Sequence, residues 1–331
     1  MIIITNLPSF YKINLYNEIN RHKKIFVIFS NRDASDRNKD FFNGSMEFDH
    51  IFLSGSFSRK VIAIRNILHS HPYSEFIISG WDEPVFWASL MLSPKRKNAV
   101  VIESSIYESR TTGLKGFVKK GFIRRISKCY ASGKPQRQLA EQLGFKGEMV
   151  ITKGVGLKKL FTQPPYEPRT EVKRFLFVGR LVKVKNLEFL IRRFNDHPEL
   201  ELTIAGFGEL EDELRKIASQ NIRFVGAIPN DELGKYYREA DVMVLPSMSE
   251  PWGLVVEEAL NNGTPCMVSD RVGAADDMIG NKYGIIFSLS EKDFEDKLSK
   301  IRDIHKYNIL RKNISTLDFK ALQQSQIDAY L

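Results

Sequence analysis

The residue types best suited to chemistry gather in Ser249-Glu250-Pro251-Trp252-Gly253-Leu254-Val255-Val256-Glu257-Glu258-Ala259-Leu260. A short apolar run precedes this stretch and a helical pattern follows it, so a helix is predicted to open just after Gly253. Glycine there permits close approach of a ligand, and the N–H groups of Leu254 and Val255 at the helix start would hold an anion such as phosphate. Glu258 stands about one turn into that helix. A carboxylate there repels phosphate and suits sugar or ribose hydroxyls, which donate hydrogen bonds to it. Glu250, on the near side of the turn, is placed to meet the other end of such a ligand. Glu257 reads as an ordinary first-turn acid favoured by the helix dipole.

A second group is Val178-Gly179-Arg180-Leu181 followed by Lys185-Asn186. Gly179 ends an apolar run, so Arg180 and Lys185 would emerge together at a strand's carboxyl end. Two cations beside a phosphate-binding helix start would neutralise a diphosphate and stabilise it as a leaving group. Lys183 is assigned no role. A third group, Gly206-Phe207-Gly208, follows another strand but lacks the third glycine of a dinucleotide fingerprint, since position 211 is Glu. Ile228-Pro229 forms a comparable loop, placed to contact a base. Asp276 and Asp277 are adjacent and follow Gly-Ala-Ala, so they read as a helix start and not as a metal-binding Asp-x-Asp pair. The six histidines and two cysteines lack catalytic or metal-ligand spacing.

These groups need strand ends to hold them. Residues 174–178, 200–205, 222–225, 241–245 and 265–269 are short apolar strands alternating with helices near 187–194, 209–219, 231–239 and 255–260. That alternation marks a parallel sheet covered on both faces, with every carboxyl end on one edge. Residues 1–163 repeat the theme, with strands at 2–5, 25–29, 76–79 and 99–103 and helices near 11–21, 57–70 and 84–92. Asn31–Gly44 reads as a polar loop. A proline-rich linker over 164–170 would join that first domain to a second over 171–315, leaving a last helix over 316–331 to pack back on the first.

The chain has 331 residues, 43% of them apolar and 27% charged, which excludes disordered, collagen-like and low-complexity classes. Its opening MIIIT reads as a strand and no window is apolar enough to span a membrane, so a cytoplasmic protein is expected. The net charge of +9 is uneven: residues 1–165 hold 26 Lys/Arg against 13 Asp/Glu, and residues 166–331 hold 23 against 27. A basic first half suits a polyanion or an anionic membrane face. Nucleic acid is set aside, because basic and aromatic residues do not interleave along a platform.

The spaced matches Gly179-Arg180…Lys185-Asn186, Gly206-Phe207-Gly208 and residues 250–270 resemble glycosyltransferase family 4. The resemblance implies the GT-B fold: an α/β chain of two Rossmann-like doubly wound domains facing each other across a cleft. It implies that the second domain binds a nucleotide-sugar donor. Arg180 and Lys185 would grip the diphosphate and Glu258 would bond the ribose, with Glu250 beside the donor sugar. Gly179, Gly206, Gly208, Ile228, Gly253, Leu254 and Val255 would line the donor. Retention of anomeric configuration by front-face substitution is implied, with a UDP-hexose favoured and no divalent metal or other cofactor required. The first half departs from the family, carrying Glu103-Ser104-Ser105 where many members carry a histidine. Such a pair is similar to that of members building bacterial surface polysaccharide such as O-antigen, and Glu103 is the expected catalytic partner from this half.

Residues 114–128 place Leu114, Phe117, Val118, Phe122, Ile123 and Ile126 at helical spacing among six Lys/Arg and no acid. Such a helix either lies on anionic lipid, which would make the protein peripheral at the cytoplasmic membrane face, or packs into the core. The acceptor is expected to be a lipid-linked or polysaccharide hydroxyl. A soluble small-molecule acceptor and an inactive nucleotide-binding scaffold are the competing readings.

Overall fold

The structure, a computed structural model, describes residues 1–33 and 39–331. Of the loop expected over 31–44, residues 34–38 lie outside this description and Lys39–Phe42 form a 3₁₀ turn. The described residues divide into two compact units, residues 1–158 with 321–331, and residues 159–320.

The first unit holds β1 (Ile2–Thr5), β2 (Phe26–Phe29), β3 (Asp49–Phe52), β4 (Phe76–Ser79), β5 (Asn98–Ile102), β6 (Lys128–Ala131) and β7 (Glu148–Ile151). They form one parallel sheet in the order β3-β2-β1-β4-β5-β6-β7. Helices α1 (Phe10–His22), α2 (Phe57–Ser70), α3 (Pro84–Leu92), α4 (Gly113–Ile123) and α5 (Lys134–Gln142) make the crossovers. The central strands are continuous apolar runs because helices cover both faces; all four residues of β1 are buried. Local signals fix the helix ends. Ser56 caps α2 by accepting from Arg59 N at 3.4 Å, and Pro84 opens α3 where its missing N–H costs nothing.

The second unit holds β8 (Arg174–Val178), β9 (Glu201–Ala205), β10 (Ile222–Gly226), β11 (Val242–Leu245), β12 (Cys266–Ser269) and β13 (Gly284–Phe287). Its parallel order is β10-β9-β8-β11-β12-β13, so the chain steps outward from β8 in one direction and then returns to β8's other side with β11. The helices are α6 (Leu187–Asn195), α7 (Glu211–Ile217), α8 (Leu233–Glu239), α9 (Leu254–Asn261), α10 (Glu291–Arg302) and α11 (Ile304–Ile314). Helix α6 shows the physical cause: Leu187, Leu190, Ile191 and Phe194 recur at helical spacing and are all buried. Asp276 and Asp277 lie in a π-helical turn, Ala275–Ile279.

Residues 164–170, expected as a linker, lie in the second unit, where Arg169 N donates to Asn308 Oδ1 and Asn308 Nδ2 returns a bond to Arg169 O. The last helix, α12 (Phe319–Asp328), carries the chain back into the first unit. There Tyr330 stacks on Tyr130 with ring centroids 4.7 Å apart, and Gln326 donates to Lys153 O at 2.9 Å.

The stripe expected over 114–128 divides. Helix α4 ends at Ile123, and Phe122, Ile123 and Ile126 are buried in the core. Leu114, Phe117 and Val118 are 80%, 70% and 44% exposed. Core packing therefore accounts for one end of the stripe only. Among the described residues, no helix is long and apolar enough to cross a membrane.

Candidate active site

Open α/β sheets bind ligands beyond the carboxyl ends of their strands, at the point where strand order reverses. In the second unit that point lies between β8 and β11. The loop after β8 carries Gly179, Arg180 and Lys185; the loop after β11 carries Glu250 and runs into Gly253 and α9. The two loops named from sequence thus flank one crevice.

They are joined across it. Lys185 Nζ forms an ion pair with Glu250 Oε2, each side chain only 15% exposed, and Met248 N donates to Val184 O at 2.8 Å. The β11 loop is held on its other side, since Glu250 N donates to Arg271 O at 3.1 Å and Gly273 N to Glu250 O at 2.8 Å. Glu250 is therefore fixed at both backbone and carboxylate. Arg180 is half-buried, immediately after Gly179.

Gly253 adopts φ +97°, a conformation that a side chain disfavours, and α9 begins at the next residue. The first-turn N–H groups of a helix, here including Leu254 and Val255, have no acceptor within the helix itself. They point beyond its end and carry the positive end of the dipole. One turn on, Glu258 Oε2 accepts from Tyr237 Oη at 2.7 Å. Burial, with Cys266 adding to it, holds the Tyr237 phenol well above its ordinary range, so the hydroxyl stays a donor to that carboxylate.

Sequence reasoning missed two supporting groups. Tyr237 lies wholly buried in α8, and nothing in the sequence ties it to Glu258. Glu257 is buried and accepts from Trp252 Nε1 at 2.6 Å. The signal for it was present: a Trp beside a helix start needs a partner for its indole N–H when buried.

Gly206 and Gly208 have an explanation inside the fold. A Cβ on Gly206 would collide with the Gly179 carbonyl, and one on Gly208 with the Leu181 carbonyl. Leu181 N donates to Phe207 O at 2.8 Å and Leu210 N to Leu181 O at 3.1 Å. These glycines let the β9 loop lie directly against the loop bearing Arg180 and Lys185. Ile228, half-buried in the loop after β10, follows one strand further out.

Glu103 belongs to the first unit, just beyond β5. Its Oε1 pairs with Lys12 Nζ at 2.8 Å. Burial alone would lower the Lys12 pKa, but the facing Glu103 charge prevails and raises it above the ordinary lysine value. Among the described residues, no group of three or more His, Cys, Asp or Glu is arranged to hold a metal ion.

Two parallel-sheet Rossmann-like domains of this kind define the GT-B class of glycosyltransferase structures. The chain superposes on sucrose-phosphate synthase from Thermosynechococcus elongatus with a TM-score of 0.74 at 18% identity, covering 99% of this chain and 97% of that one. For the lipopolysaccharide outer core galactosyltransferase WaaB the score is 0.72 at 16% identity, covering 100% and 99%. Residues 159–316 match the model of the family described as "Glycosyl transferases group 1", so the second unit carries a domain of that group. An uncharacterized glycosyltransferase of Methanocaldococcus jannaschii is 40% identical over 109 residues, 30% of this chain and 28% of that protein. The Escherichia coli O-antigen biosynthesis glycosyltransferase WbnH is 32% identical over 174 residues, 51% and 48% respectively. The sulfoquinovosyl transferase SQD2 of Arabidopsis thaliana is 35% identical over 134 residues, 39% and 26%. The matched chain spans less than half the length of each of these relatives.

Proposed function

We propose that the chain is a retaining glycosyltransferase of family 4 type, moving a hexose from a UDP-sugar to an acceptor hydroxyl. One observation carries this reading: at the strand-order reversal, Lys185, on the loop that also bears Arg180, pairs with Glu250 on the loop that runs into α9. A diphosphate leaving group gathers negative charge as its bond to the anomeric carbon stretches. Cations and helix N–H groups fixed beforehand at that place stabilise the charge without reorganising. In the substitution, the bond from anomeric carbon to phosphate oxygen breaks and the bond to the acceptor oxygen forms on the same face. The acceptor's proton passes to the departing phosphate. Neutralisation by Arg180 and Lys185 gives this step no need of a divalent metal. Glu258 is assigned to the ribose hydroxyls and Ile228 to the base.

For the acceptor we propose a lipid-linked or polysaccharide hydroxyl in surface-glycan assembly at the cytoplasmic membrane face. The relative WbnH supports this by its name, and so does the exposed apolar end of α4. Leu114, Phe117 and Val118 share that end with Lys115, Lys119 and Lys120, the composition of a helix that lies on anionic lipid.

The test is release of free nucleotide from a panel of UDP-, GDP- and ADP-hexoses in the presence of a chelator. UDP release is expected; silence across the panel would leave an inactive scaffold. Flotation with anionic vesicles tests the acceptor proposal, and a Leu114→Ser/Phe117→Ser variant that still floats as well as the parent would return α4 to a purely structural role.

A further inference from the structure

A second cavity in the second unit lies where the loops enter the sheet, the edge opposite the one bearing Arg180 and Glu250. Pro164, Pro165 and Pro168 wall it on one side, and Asn262, Gly263 and Thr264, between α9 and β12, on another. Three guanidinium groups line it: Arg169 before β8, Arg238 near the end of α8 and Arg311 on α11. Its volume is about 230 Å³, below the range of roughly 300–1,000 Å³ usual for drug-sized ligands.

Three cations converging on one concavity repel one another, and the carboxylates around them, Glu167 and Asp241, number fewer than the cations. Glu167 lines the cavity but is exposed. Asp241 is 3.7 Å from Arg169 Nε, yet its two oxygens are already engaged by the N–H groups of Lys173 and Arg174 and by the Arg174 guanidinium. The arginines also have hydrogen-bonding capacity left over. Arg169 donates one terminal nitrogen to Arg238 O at 3.1 Å, and Arg238 donates one to Asn262 Oδ1 at 2.6 Å. The buried Nε–H groups of Arg169 and Arg311 find no acceptor among the described residues. Buried donors without acceptors, and three guanidiniums whose one buried carboxylate, Asp241, is shared with Arg174, are both relieved by one ligand class, a small tetrahedral oxyanion.

We propose that this arginine-lined cavity binds a phosphate group, either as free inorganic phosphate or as a small phosphate monoester. It is separate from the diphosphate site, because its residues enter strands β8, β11 and β12 where the other site's residues leave β8 and β11. A phosphate there would tie the proline-rich segment before β8 to α8, α9 and α11. It would stabilise the second unit in proportion to ligand concentration.

Isothermal titration of the full chain with inorganic phosphate, and separately with glycerol 3-phosphate, at constant ionic strength tests this. Saturable binding is expected, weakened about tenfold or more by Arg311→Gln or Arg238→Gln. Tighter binding of the ester would identify a phosphorylated metabolite as the ligand; equal binding would identify phosphate itself. Arg238 is exposed, so its variant keeps the test valid if Arg311→Gln fails to fold. Absence of saturable binding, or binding abolished by Lys185→Ala and retained in both arginine variants, would overturn the proposal.

Discussion

Lys185 and Glu250 form an ion pair that bridges the two loops flanking the strand-order reversal of the second sheet. The pair gives the lysine a partner before any diphosphate arrives and holds the carboxylate toward the same crevice. Breaking it while keeping the shape separates two roles. Glu250→Gln removes the competing charge, so UDP affinity should stay within about threefold of the parent or improve. Turnover should fall by about two orders of magnitude if the carboxylate acts on the donor sugar in the transition state. Steady-state kinetics alongside equilibrium binding of UDP would show the split; equal loss in both would reduce Glu250 to a prop for Lys185.

Glu258 and Tyr237 make a second coupled pair, with the buried phenol holding one carboxylate oxygen at 2.7 Å. Assignment of Glu258 to ribose hydroxyls makes a specific demand on ligand choice. Glu258→Ala should weaken UDP by about tenfold, worth about 1.4 kcal/mol, and leave inorganic pyrophosphate unaffected. Tyr237→Phe should act in the same direction but less, since it disturbs only the orientation of the carboxylate. Competition titrations with the two ligands decide this, and parallel loss of pyrophosphate would move Glu258 out of the ribose role.

The first unit offers a pH dependence. Asp82, just beyond β4, has its carboxyl raised above the ordinary 3.8, first by burial and then by the Glu103 charge, against the opposing pull of Lys119 and Lys12. A carboxyl with a higher pKa folded than unfolded holds its proton more tightly in the native state. Its relative stability is fully present below 3.8 and is lost as pH rises through the folded value. At pH 7 the ionised Asp82 is therefore a modest burden on the fold. Asp82→Asn should raise the denaturant midpoint at neutral pH, and the gain should shrink steadily as pH falls toward 3.8. A gain independent of pH would show that ionisation of Asp82 is not its cause.

Legibility in the sequence followed burial. Strands β1, β4 and β8 were readable to the residue because both faces are covered and the run is wholly apolar or nearly so. Strands β3, β7 and β13 were missed: all three are sheet edges and partly exposed, and DHIF and EMVI carry no continuous apolar signal. Strand β6 begins with Lys128 and is only four residues long, which hid it beside the basic helix. The crevice residues were legible because a strand, a glycine and a helix start fix where their side chains emerge. Tyr237 was not, since it reaches Glu258 through tertiary packing that no spacing encodes, whereas the Trp252–Glu257 bond spans five residues and was open to reading.

The central claim is that the reversal point between β8 and β11 binds a nucleoside diphosphate through Lys185, Arg180 and the start of α9. Calorimetric titration of UDP into the full chain, with a chelator present, tests it most directly. Saturable binding is predicted, weakened by tenfold or more in Lys185→Ala, at the ~1.5–3 kcal/mol of a hydrogen bond to a charged group. Binding of equal strength in the parent and in Lys185→Ala would contradict the account.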